Sequence, residues 1–131
     1  MTPRELLNPI ELHPALGYSH IAIAQAERLF FIAGQVALDT EMELVGGDDL
    51  YEQTRAVTAN VLTALAAAGA AWSDVVRRTI YTTQPTAYEL ITRAIEAEAG
   101  STEHPPQTIL GDAGLGMPEL LIEIECTAVL S

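Results

Sequence analysis

The fold is decided by residues 49–83, DLYEQTRAVTANVLTALAAAGAAWSDVVRRTIYTT, where a helical period gives way to strand-forming residues. Asp49 and Glu52 have the three-residue spacing of a helix capping box, and Gly69 is the type of residue that ends a helix. Between them, apolar and small side chains recur at steps of three and four. These are Leu50, Thr54, Val57, Val61, Leu65 and Ala68. Residues 75–83 are β-branched and aromatic, so the segment predicts a long amphipathic helix followed by a strand.

The flanking sequence predicts a second helix and two pairs of strands. The predicted elements are strands at 19–26 and 29–34, which form a hairpin, a helix that opens at Pro85 and ends at Gly100, and strands at 108–110 and 120–130. The order is then β-β-α-β-α-β-β. This order predicts an α+β fold, a mixed sheet with both helices on one face.

Length and composition predict one globular domain over residues 1–131, with residues 1–17 as an N-terminal arm or edge strand. Hydrophobic residues make up 49% of the chain and charged residues 18%. No stretch approaches 18 uncharged apolar residues, and the first residues lack the pattern of a secretory signal. We therefore expect a cytoplasmic protein without a membrane partner.

Charge and cysteine content exclude several classes of partner. Six basic against 18 acidic residues give a net charge of −12, which would repel nucleic acid and anionic lipid. Cys126 is the single cysteine, and the three histidines have no metal-ligand spacing, so we expect no metal. The glycines of residues 111–116 precede no helix, which argues against a nucleotide cofactor. A small-molecule ligand remains, with no cofactor.

The last predicted strand has two different faces. One face is apolar, with Leu120, Ile122, Ile124, Cys126 and Ala128, and predicts a core in which the Cys126 thiol is inert. The other carries Leu121, Glu123, Glu125, Thr127 and Val129, half apolar and half acidic. This second face fits a subunit interface. Its two glutamates are either a solvated edge or include a general acid/base or water-orienting carboxylate in an intersubunit cleft.

Several segments together resemble the Rid/YjgF family from about residue 13 to residue 130. They are the segment LGYSH at 16–20, FIAGQ at 31–35, the helix with Gln53, Asn60 and Ala68-Gly69, DVVR at 74–77, PPQT at 105–108 and IEIE at 122–125. The resemblance implies a chorismate-mutase-like fold and a homotrimer with a site in each intersubunit cleft. It also implies an enamine/imine deaminase, a hydrolase that needs neither metal nor cofactor.

The resemblance implies roles for particular residues and also shows departures. Glu123 matches the glutamate that orients the attacking water, whereas Gln107 stands where the family arginine grips the substrate carboxylate. Ala33 replaces the serine that often precedes Gly34 in deaminases. The polar residue of the second helix falls near Thr92. The aromatic residue of the N-terminal segment is either Tyr18 or His20.

These departures leave two functional predictions. The first is imine/enamine hydrolysis or tautomer chemistry on a substrate without an α-carboxylate, with weak or no activity on 2-imino acids. The second is a non-catalytic homologue that binds a metabolite or a partner protein. The ribonuclease activity of some family members is disfavoured by the net charge of −12.

Overall fold

Two helices pack on one face of a four-stranded mixed sheet in the computed structural model, which describes residues 4–131. The elements are β1 (Arg4–Leu7), β2 (Ile21–Ala24), β3 (Arg28–Gln35), α1 (Leu50–Ala67), β4 (Val75–Thr82), α2 (Tyr88–Ala99), β5 (Gln107–Gly111) and β6 (Ile122–Leu130). The strand order is β3-β6-β4-β5, in which only β4 and β5 are parallel neighbours. The predicted α+β class and element order are confirmed, with β1 as one additional strand.

The helix boundaries follow local capping signals, with one correction. Asp49 caps α1 by accepting a hydrogen bond from the backbone N–H of Glu52 at 3.0 Å, and Gly69 follows the helix with a φ of +82°. Gly100 ends α2 with a φ of +68°. The start of α2 at Pro85 was wrong. The N–H of Ala87 donates to the carbonyl of Gln84 at 3.1 Å, so the chain makes a turn before the helix begins at Tyr88.

The predicted hairpin between 19–26 and 29–34 was also wrong. Strand β2 pairs with β1 in a separate two-stranded sheet, whereas β3 pairs antiparallel with β6. The nine residues of β6 give β3 a longer ladder than the four of β2 could, and this pairing packs Phe30 and Ile32 against the core. The pairing of β3 depends on residues about a hundred positions away, which a local pattern does not reveal.

Alternation along β6 separates the two faces of the sheet. Ile122, Ile124, Cys126 and Ala128 are buried beneath the helices, as predicted. On the opposite face, Leu29 and Phe31 keep 57% and 77% of their surface exposed. We call this the open face and define it by Leu29, Phe31, Tyr81, Glu123 and Glu125. Val129, which alternation also assigns to it, is buried.

Candidate functional site

A pocket of about 380 Å³ lies at the β5 edge of the sheet, on the side of the helices. Three parts of the chain line it: the N-terminal segment, the start of α2 and strand β5. The lining residues are His13, Pro14, Leu16, Tyr18, Tyr88, Gln107 and Ile109. We call this the edge pocket. None of its lining residues is a carboxylate, an arginine or a lysine, so its polar groups are the Gln107 amide, two phenols and an imidazole.

Gln107 is held from behind by a buried arginine. Arg78 is the register partner of Gln107 on β4, is fully buried, and donates from Nε to the Gln107 Oε1 atom at 2.6 Å. Because a guanidinium has donors only, the amide must turn its oxygen towards Arg78. The amide NH₂ is then the group that Gln107 offers to the edge pocket.

Further partners hold the Arg78 guanidinium. Its Nη2 atom lies 2.9 Å from the carbonyl oxygen of Gly17 and 2.9 Å from Nδ1 of His104. The Cζ atom of Arg78 lies 5.7 Å from the centroid of the Trp72 ring. The Nη1 atom of Arg78 is buried without a partner among residues 4–131. Desolvation lowers the pKa of Arg78 to about 10, so the side chain stays cationic at neutral pH.

His104 continues this buried chain of side chains towards α2. Its Nε2 atom lies 2.7 Å from Oε2 of Glu96. Burial lowers the pKa of His104, the hydrogen bond with Glu96 raises it and the charge of Arg78 lowers it, with a net decrease. Sequence reasoning missed both Arg78 and His104 as site residues. A signal existed for Arg78, because alternation places the adjacent Arg77 and Arg78 on opposite faces of a sheet that has helices on one face.

The structure separates the two aromatic candidates of the N-terminal segment. Tyr18 lines the edge pocket, and His20 does not. The His20 ring packs against the wall of the edge pocket, and its centroid lies 4.7 Å from that of the His13 ring and 5.4 Å from that of the Tyr18 ring. Its Nε2 atom donates to the carbonyl of His13 at 2.7 Å. His20 therefore supports the pocket wall, and His13, which sequence reasoning did not select, is part of that wall.

Thr92 lies beside the edge pocket rather than in it. It lines a neighbouring hollow of about 330 Å³, which shares Leu16 and Tyr88 with the edge pocket. Its hydroxyl donates to the carbonyl of Tyr88 at 2.8 Å. Gly17 packs against it so closely that a Cβ there would lie 2.6 Å from the threonine Oγ1. Thr92 thus shapes the segment that carries the pocket wall.

Glu123 and Gly34 lie together on the open face. Any side chain at Gly34 would overlap the carboxylate of Glu123. Ala33 comes just before this contact on β3, and its methyl group offers no hydroxyl there. The neighbouring Glu125 accepts a hydrogen bond from the Tyr81 hydroxyl at 2.6 Å, which raises the pKa of Tyr81. Glu123 has no such partner among residues 4–131, so it is the more available carboxylate of the two.

One chain does not bring Gln107 and Glu123 together. Gln107 bonds Arg78 on the helix side of the sheet, whereas Glu123 alternates with the buried Ile122 and Ile124 and points to the open face. A cleft that uses both side chains therefore requires a second copy of the chain. Cys126 is buried, and desolvation raises its pKa to about 12, which confirms an inert thiol.

Within residues 4–131, no group of three His, Cys, Asp or Glu side chains could hold a metal ion. None of the helices in that range has both the length and the apolar character needed to cross a membrane.

Comparison with known proteins identifies the family. Residues 10–130 match the family model described as Endoribonuclease L-PSP. The crystal structure of the Rid-family protein YyfB of Yersinia pestis, described as of unknown function, is 39% identical, with a TM-score of 0.91 and coverage of 98% of this chain and 99% of that one. A member of the YjgF/YER057c/UK114 family from Mycobacterium tuberculosis is 29% identical, with a TM-score of 0.65 and coverage of 97% and 99%. A RutC family protein of Pyrococcus abyssi is 30% identical over 75% of this chain and 76% of its own length. The chain therefore belongs to the Rid/YjgF family.

Proposed function

We propose that the protein binds a small, neutral carbonyl or imine compound in the edge pocket and catalyses imine or enamine hydrolysis, or a related tautomerisation. Gln107 donates a hydrogen bond to the substrate, and Glu123 of a neighbouring subunit holds the water. The single observation that carries the proposal is the direction of the Gln107 amide, whose oxygen is occupied by Arg78 at 2.6 Å. Its NH₂ is left for an acceptor atom of the ligand.

A neutral substrate follows from the composition of the pocket wall. The family arginine would offer a 2-imino acid two charge-assisted hydrogen bonds, whereas Gln107 offers one neutral donor. The lining contains no arginine or lysine, so a bound carboxylate would have no cation in direct contact, and the Arg78 guanidinium behind the wall is already engaged with Gln107. Losing such a partner typically costs about 2 to 5 kcal/mol, so 2-imino acids are poor substrates.

The chemistry assigned to Glu123 is a proton transfer in two steps. Its carboxylate accepts a proton from the attacking water as the oxygen bonds to the imine carbon. Glu123 returns this proton to the nitrogen, which gives a neutral carbinolamine. It then takes the remaining hydroxyl proton and passes it to the nitrogen, so that the C–N bond breaks, ammonia or an amine leaves and the carbonyl forms. Glu125 is less suited to this role because Tyr81 already donates to it at 2.6 Å.

Assembly into a homotrimer would unite the two halves of the site. The open face exposes Leu29 and Phe31 on the same face of the sheet as Glu123, and a second copy that covers this face would carry Glu123 to the rim of a neighbouring edge pocket. This arrangement agrees with the homotrimer implied by the family resemblance.

The test compares imines with and without a carboxylate. A flavin-dependent amine oxidase acting on benzylamine supplies a neutral imine, and an amino-acid oxidase acting on leucine supplies a 2-imino acid. Semicarbazide traps whatever imine remains. We expect the protein to suppress trapping of the neutral imine much more strongly than that of the imino acid, and E123Q to lose this effect.

Two results would contradict the proposal. Equal suppression for both imines would show that a cation at position 107 is dispensable. No suppression of either, combined with ligand-observed NMR binding of a ketone in the edge pocket, would favour the non-catalytic, metabolite-binding alternative.

A further inference from the structure

We infer that Glu96, His104 and Arg78 are positioning residues that fix the Gln107 amide in one orientation and thereby make the edge pocket selective for ligands with a hydrogen-bond acceptor. The inference rests on the proposed function, because it assumes that ligands enter the edge pocket. It goes further by assigning the selectivity to three buried or half-buried side chains outside the pocket wall.

The hydrogen bonds in this chain of side chains can point in only one direction. Arg78 donates from Nη2 to His104 at 2.9 Å, so Nδ1 of His104 must be an unprotonated acceptor. The ring proton then lies on Nε2 and is donated to the Glu96 carboxylate at 2.7 Å. Neutral, Nε2-protonated His104 is thus the only form that satisfies both neighbours.

The contact with Arg78 also fixes the orientation of the Gln107 amide. If the Gln107 amide were rotated by half a turn, its NH₂ would face the N–H of Arg78 at 2.6 Å, donor against donor. The interaction with a buried cation also polarises the amide, which strengthens its N–H groups as donors. A pocket wall with this amide prefers an acceptor atom, such as the oxygen of a ketone or an ether or the nitrogen of an imine, over an ammonium group.

Stability alone does not account for Arg78. It is fully buried, and its Nη1 atom has no partner among residues 4–131. Replacing a whole buried ionic group and its partners by apolar side chains of similar size is often neutral or stabilising, so a buried cation is weak evidence of a purely stabilising role. A role in orienting Gln107 gives this buried cation a function that an apolar residue could not perform.

The first experiment measures selectivity with two probes of similar shape, cyclohexanone as an acceptor and cyclohexylammonium as a donor. Ligand-observed NMR gives the affinity of each for wild type, R78M and Q107E. We expect R78M, with its fold checked by circular dichroism, to lower the preference for the ketone by about tenfold, the effect of one hydrogen bond. In Q107E, Arg78 holds a carboxylate, which offers only acceptors, so the preference should invert towards the ammonium.

A second measurement needs no ligand. Nitrogen-15 NMR of the histidine rings should show His104 as the neutral, Nε2-protonated tautomer, and the Nε–H of Arg78 should exchange slowly with water. H104N, whose amide oxygen can still accept from Arg78, should keep the selectivity, whereas H104L should reduce it.

The outcomes distinguish the positioning role of Arg78 from the binding of ligands in the edge pocket. Ketone binding to wild type with an unchanged preference in R78M overturns the positioning inference and leaves the proposed function standing. Absence of binding by wild type overturns the proposed ligand pocket. In that event, a His104 ring protonated on Nδ1, or a rapidly exchanging Arg78 Nε–H, would also overturn the fixed orientation, whereas the expected NMR signals would support it.

Discussion

The two faces of the sheet treat charged side chains in opposite ways. On the helix-covered face, Arg78 is fully buried and bonds Gln107, Gly17 and His104 within one chain. On the open face, Glu123 packs on Gly34 and is only half-buried. The covered face thus holds its buried cation with partners from a single chain. The open face leaves Leu29 and Phe31 exposed in a single chain. The proposed site forms only where the open face of one copy meets the edge pocket of another.

The largest effect is expected from a charge placed on the open face. Wild type should be a trimer of the 14.0 kDa chain, and F31E should disassemble it, because each subunit would bury a carboxylate in place of an apolar ring. Light scattering coupled to size exclusion measures the mass. I10E is the control, because Ile10 is also apolar and is 93% exposed outside this face. A wild-type mass near that of one chain would show that no second copy covers the open face.

The contact between Gly34 and Glu123 provides the next test. In G34A the new methyl group must displace the Glu123 carboxylate, so imine hydrolysis should fall by about a hundredfold, the lower end of what a general base contributes. G114A is the matched control, because a Cβ at Gly114 would meet no atom within 4 Å. Equal activity in the two variants would show that Glu123 does not act from this position.

On the covered face, an arginine at position 78 should be incompatible with an arginine at position 107. Q107R places a second cation against buried Arg78 and should lower the free energy of unfolding by at most about 3 to 5 kcal/mol, the cost of an uncompensated charge at a fully buried position. The double variant R78M/Q107R should recover stability and bind a small 2-oxo acid. Urea denaturation and calorimetry measure the two effects. A single Q107R variant that is as stable as wild type and binds the acid would show that Arg78 does not restrict position 107.

The smallest effect concerns the pH dependence of stability through His104. Glu96, Arg78 and Arg4 are the charged groups that act on it, and burial makes the net change in its pKa a decrease. The unfolded chain therefore binds the proton more readily, so stability falls as pH drops below about 6.5, by at most about 1.4 kcal/mol per pH unit. Urea denaturation at several pH values should show a shallower slope for H104N. An identical slope would assign the effect to other groups.

Local signals in the sequence predicted most of the fold. The cap at Asp49, the glycine stops at 69 and 100 and the alternation of β6 each depend on neighbouring residues, and each is confirmed. The pairing of β3 with β6, and of β2 with β1, depends on distant residues and was predicted wrongly. The start of α2 was misplaced because Pro85 is compatible with both a turn and a first helical turn.

The candidate site was less predictable than the fold. Family resemblance selected Gln107 and Glu123, but only the register shows that they point to opposite faces. The partner of Gln107 is Arg78, 29 positions earlier in the chain, and the partner of Arg78 is His104, 26 positions later. Such contacts between distant strands and loops have no local sequence period, so no pattern along the chain reveals them.

Mixed assemblies show whether Gln107 and Glu123 act from different subunits. Q107L and E123Q are purified separately, each with impaired hydrolysis of the neutral imine, and are then unfolded and refolded together. In a cyclic assembly, random assortment makes about a quarter of the sites complete if one residue comes from each neighbour. The mixture should regain a corresponding share of wild-type activity, above that of either variant refolded alone. A mixed assembly no more active than its two components would contradict this arrangement.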